Sequence, residues 1–70
     1  MTGKELAPHQ QRVVLECTEL HEKLVALRNF TLTEFFLQKL DGAERARMKR
    51  QLLIMELYYQ VLDERISAFE

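Results

Sequence analysis

Staples are scarce in this chain. A single cysteine, Cys17, excludes an internal disulfide. His9, His21 and Cys17 are scattered, whereas zinc sites need ligands clustered at short fixed spacings, so no metal is expected either. There is one proline, Pro8, and there are two glycines, Gly3 and Gly42, all outside the interior of any periodic segment. No run of about 18 apolar residues occurs, so no membrane span is expected. Met1 to Pro8 lacks the apolar stretch of a signal peptide, so a reduced, cytosolic setting is the default expectation. Net charge is −1, which gives no basic field of the kind that draws nucleic acid. No glycine-rich phosphate loop, nucleophile elbow or paired metal-ligand motif is present, so neither enzyme chemistry nor a cofactor is expected.

What remains is apolar content of 47% with 30% charge, the composition of a folded domain. At seventy residues a single core is only marginally stable, and the usual remedies are disulfides, a metal or self-association. With the first two excluded, self-association is the expectation.

The periodicity is helical throughout. Val13, Cys17, Leu20, Leu24 and Leu27 recur at steps of four and three, which is one seam along a helix. Pro8 suits its first position, and Asn29-Phe30 reads as its stop. Met48, Leu52, Met55, Tyr59, Leu62, Ile66 and Phe69 carry the same alternation along a second arm. Between them, Thr31-Leu-Thr-Glu34 and Asp41-Gly-Ala-Glu44 both read as capping boxes. The first is expected to open a short helical turn whose Phe35, Phe36 and Leu40 plug the end of the hairpin. The fold class is therefore all-α: an antiparallel helical hairpin with a short helical turn between its arms, assembling into a helical-bundle homo-oligomer. A flexible tail is expected over 1–7 and a single hairpin domain over 8–70. Arms over 8–29 and 43–69 run roughly 33 and 40 Å. Antiparallel packing is expected to set His9 and Arg12 beside Arg65 to Phe69, and Lys23 and Arg28 nearer Arg45 to Leu52.

The second arm is too apolar for one partner. From Leu52 to Leu62 only Glu56 and Gln60 are polar. Ile54, Tyr58 and Val61 form a second stripe, with Leu53 and Leu57 further round. A helix apolar nearly all round is buried nearly all round. These five residues are the expected oligomer interface; a different partner protein is the alternative cover.

Cys17 lies on the seam and reads as a small core hydrophobe. His21 reads as a boundary residue. Pro8-His9-Gln10-Gln11-Arg12 opens a helix, where free N–H groups suit a phosphate, imidazole can stack, glutamines can read hydrogen-bonding edges and Arg12 can clamp an anion. A solvated helix start is the alternative. The basic run Arg45, Arg47, Lys49, Arg50 opposes the dipole of its own helix, as do the acids Asp63, Glu64 and Glu70 at the far end. Head-to-tail packing between copies and phosphate binding both fit; nucleic acid fits poorly without interleaved aromatics. Tyr58 reads as an interface anchor or as a platform for a base.

The strings HQQRVVLE at 9–16, ELHEKLVALRNF at 19–30 and MKRQLLIMELYYQVLDERISAF at 48–69 resemble a family of small phage proteins. That family shares a helical hairpin domain with anti-CBASS and anti-Thoeris sponge proteins. The resemblance covers roughly residues 8–69. It implies sequestration in the host cytoplasm: compact oligomers, often hexamers, hold cyclic nucleotide signals between protomers and do not cleave them. Such binders pair an aromatic at the start of the first helix with a lysine about two heptads later. His9 and Lys23 are the matching positions here, with His9 standing where the family has tyrosine. Fourteen residues span roughly 21 Å of one helix, so the two must come from different protomers. Arg12 and Arg65 are the further ligand-binding candidates.

Overall fold

The computed structural model describes residues 5–69. It contains three helices, α1 (Pro8–Thr31), α2 (Glu34–Lys39) and α3 (Gly42–Ser67), and no strand among the described residues. α1 and α3 pack antiparallel as a rod of 52 × 17 × 16 Å. Its radius of gyration is 16.1 Å, against about 11 Å for a compact domain of this length. Among the described residues the rod is two helices thick, with its core along the seam between them and a plug at one end.

That seam is the one the periodicity predicts. Val13, Cys17, Leu20 and Leu24 of α1 are buried, and so is Leu62 of α3. Met55, Tyr59, Ile66 and Phe69 pack against this cluster from the other side. Among the described residues only Phe36 and Leu62 are completely withdrawn from solvent, which matches the thin core expected at this length.

The N-terminus of α1 is held by its own glutamines. Pro8 takes the first position as expected, and the Ala7 N–H donates to Gln10 Oε1 at 2.9 Å. Gln11 Nε2 donates to the Leu6 carbonyl at 2.9 Å. Of the tail assigned to 1–7, residues 1–4 lie outside the described residues; Glu70 does too.

The C-terminal end of α1 differs from expectation. The helix does not stop at Asn29-Phe30 but runs to Thr31, whose hydroxyl donates back to the Arg28 carbonyl at 2.7 Å. Thr31 is therefore the end of α1 and not the cap of the next helix. Thr33 takes that role: its backbone is extended and its Oγ1 accepts from the Phe36 N–H at 3.2 Å. Two threonines two residues apart offer alternative caps, and the one that leaves α1 intact prevails. Asp41 caps α3 as predicted, with Oδ1 accepting from the Glu44 N–H at 2.8 Å. Glu44 does not complete the box, because its carboxylate accepts from Arg47 Nε at 2.9 Å. α3 ends at Ser67, where the Ala68 and Phe69 N–H groups close a tight final turn onto Glu64, Arg65 and Ile66.

α2 plugs the end of the hairpin with one ring. Phe36 is fully buried and meets Phe30 edge-on at 6.0 Å, with Lys49 Nζ 5.9 Å from its centroid. Phe35 touches Phe30 at 5.9 Å but is itself exposed, as are Leu32 and Leu37.

Two contacts fix the register: His21 meets Tyr59 and Arg28 pairs with Glu56. Arg28 thus lies nearer to Leu52 than to Arg65, and Lys23 falls between the two rungs. α2 and its two short links displace the start of α3 beyond the end of α1.

Candidate functional site

Of the four predicted ligand residues, His9 and Arg12 occupy the first turns of α1 and Arg65 the last turn of α3. Arg12 precedes Val13 and Arg65 precedes Ile66, so both flank the same end of the core. Lys23 lies midway along the rod. All four side chains are exposed, and no hydrogen bond or ion pair holds them among the described residues. One chain brings Arg12 and Arg65 to a common end and leaves His9 and Lys23 apart on one helix. The glutamines between His9 and Arg12 are engaged in tying down the helix start, which leaves them poorly placed to read a ligand.

The basic run has mostly internal employment. Arg45 Nη1 donates to the Leu37 and Leu40 carbonyls, both at 2.8 Å. Its charge opposes the dipole at the start of α3 but favours the carbonyl end of α2, which ends immediately before it. Arg47 pairs with Glu44, and Lys49 lies over Phe36. Neither head-to-tail packing nor phosphate binding is needed to account for these three positions.

The outer face of α3 matches the second stripe read from the sequence. Leu53, Ile54, Leu57, Tyr58 and Val61 are 42–58% exposed in the single chain. Five large apolar side chains spaced at three and four form one contiguous band along the helix.

A groove of about 270 Å³ crosses the middle of the hairpin, lined by His21, Leu24, Arg28, Glu56, Tyr59 and Gln60. Sequence reasoning missed it, assigning His21 to the boundary and Tyr59 to the seam. The signal was present as spacing: His21, Leu24 and Arg28 share one face of α1, and Glu56, Tyr59 and Gln60 share one face of α3. Only the register shows that the two faces oppose each other. The His21 and Tyr59 rings lie 5.2 Å apart, tilted by 38°. Arg28 Nη2 donates to Glu56 Oε2 at 3.1 Å, a half-exposed pair worth about 0–1 kcal/mol.

Cys17 is buried in the seam, and burial, with Asp63 and Glu16 adding negative charge nearby, pushes its thiol above the ordinary range. A protonated thiol is a poor nucleophile, in keeping with the core role read from its position. Among the described residues no His, Cys, Asp or Glu group could hold a metal ion, and no helix is long and apolar enough to cross a membrane.

The described residues thus form a strand-free helical hairpin with an uncovered apolar band on α3 and a groove of about 270 Å³ across its middle. The Sequestin family model matches residues 7–68, nearly the whole chain. The chain belongs to the Sequestin family, in agreement with the resemblance carried by its three strings. The family's name suggests a protein that sequesters a small molecule. No curated protein and no solved structure matches the chain.

Proposed function

We propose that this chain is a phage anti-defence protein that captures cyclic nucleotide immune signals and does not cleave them. The ligands are cyclic di- or trinucleotides or cyclic ADP-ribose isomers, held in the host cytoplasm. The observation that carries the reading is the apolar band of α3, which the chain's own arm leaves uncovered. Sister molecules packing on Leu53, Ile54, Leu57, Tyr58 and Val61 build a homo-oligomer, a hexamer in the family pattern. Clefts between its protomers unite side chains that one copy holds apart. In such a cleft His9 of one protomer stacks on a base, Lys23 of another meets a phosphate, and Arg12 and Arg65 add charge from their shared end.

Native mass measurement and calorimetry with a panel of cyclic di- and trinucleotides and cyclic ADP-ribose isomers test this. The expected result is an oligomer that retains ligand intact. Absence of binding to every member at micromolar protein would defeat the reading.

A second reading has its own observation. Leu32, Phe35 and Leu37 form another exposed apolar patch at the connector, away from the α3 band. A structural adaptor that docks a partner protein would use such a patch. It predicts a monomer or dimer that ignores nucleotides. A nucleic-acid-binding regulator instead predicts salt-sensitive gel shifts.

A further inference from the structure

Two charges of α3 have no employment within the single chain. Arg50 and Glu64 are exposed, and neither makes a hydrogen bond or ion pair among the described residues. Both stand seven residues from Leu57, so the three fall in one row along the helix, on the flank of the uncovered apolar band. We propose that this row edges a two-fold interface in which α3 packs antiparallel against α3 of a second copy, with Leu57 on the axis. The assignment rests on the assembly in the proposed function and gives it a geometry; it needs no nucleotide.

A two-fold axis through Leu57 sets each residue before it level with the partner residue equally far after it. Leu53 then meets the partner's Val61, and Leu57 meets its own copy. Arg50 meets the partner's Glu64, and symmetry makes that contact twice, roughly 10 Å to either side of the axis. The order of charges favours this direction. Parallel packing would crowd Arg47 and Arg50 of one copy against the same pair of the other and would align the two helix dipoles. Antiparallel packing opposes the dipoles and sets basic ends against Glu64. On the other flank Arg47 comes level with the partner's Arg65, a repulsion blunted by Glu44, which pairs with Arg47 at 2.9 Å.

The area is sufficient. A specific interface buries at least about 1,000 Å² in total. The five apolar side chains of the band are about half exposed, each leaving roughly 100 Å² to cover. Both copies together reach the threshold before Arg50, Glu64 and their neighbours add to it. The ion pairs lie at the rim, where charge selects direction and register more than it supplies affinity.

Charge reversal on the full chain tests the geometry, with circular dichroism verifying that each variant folds. Arg50→Glu and Glu64→Arg are each expected to raise the concentration of half-assembly about tenfold in sedimentation equilibrium, because both ion pairs become like-charge contacts. The double variant restores the pairs with their signs exchanged and is expected within about twofold of the native protein. Oxidation of mixed Arg50→Cys and Glu64→Cys chains is expected to link one variant to the other and neither to itself; Cys17 is buried and stays apart. Self-linking of R50C, an R50E chain that assembles as tightly as its parent, or a double variant as weak as either single one overturns the assignment. Calorimetry with the cyclic nucleotide panel separates this from signal capture. Assembly with charge rescue but no bound ligand leaves the interface standing and sinks capture. Ligand binding by an oligomer indifferent to both reversals does the opposite.

Discussion

Ile54→Glu is the sharpest perturbation of the α3 band. Ile54 is 58% exposed and lies three and four residues from Leu57 and Tyr58, within helical reach of both. A large apolar side chain is worth about 1.5–3 kcal/mol when fully buried. With these five about half exposed, covering them is worth roughly 4–7 kcal/mol per protomer. That is comparable to the whole stability of a small domain, about 5–15 kcal/mol. Glutamate at 54 removes one share and places a carboxylate in the covered surface, where its desolvation adds a further penalty. A combined loss of about 3 kcal/mol weakens association more than a hundredfold. Sedimentation equilibrium at micromolar protein reads this directly, since one chain weighs 8.3 kDa. The native protein is expected at a multiple of that mass and the variant near the single-chain value. A fully helical native protein at 8.3 kDa, or a variant that assembles as tightly as its parent, refutes the reasoning.

Three further outcomes follow from the single chain. Leu62→Ala empties a fully buried site and is expected to cost about 2–5 kcal/mol, read as a large fall in the denaturant midpoint; an unchanged midpoint contradicts the seam. Asp41→Ala removes the α3 cap, a loss of about 1 kcal/mol, and the thermal midpoint is expected to fall by roughly 4–8 °C. Cys17 has a thiol raised in the folded state, so the folded chain holds that proton more tightly than the unfolded one. Its stability contribution is whole below about pH 8.5 and is lost as pH rises through the folded value. Urea titrations from pH 7 to 10 are expected to show that decline, and Cys17→Ser to flatten it; equal slopes for the two proteins contradict the shift.

Several of these features are legible without coordinates because they depend on neighbours in sequence. Steps of three and four place Val13, Cys17, Leu20 and Leu24 on one stripe whatever they pack against. Asp41 caps α3 because its acceptor lies three residues from the N–H it serves. The Thr31–Thr33 choice was not legible, since either threonine satisfies local rules and continuity of α1 decides between them. Arg45 reads locally as a cation at the wrong end of a helix. Its placement makes sense only once α2 ends against it and presents two carbonyls.

Helical class, the two arms and the unmatched apolar band of α3 were thus determined by the chain itself, through periodicities that hold within a few turns of helix. The register of α1 against α3 was decided only by the tertiary structure, because α2 sets how far the second arm is displaced along the first. That displacement joins His21 to Tyr59 and Arg28 to Glu56, residues 38 and 28 positions apart, and so creates a groove no local pattern contains.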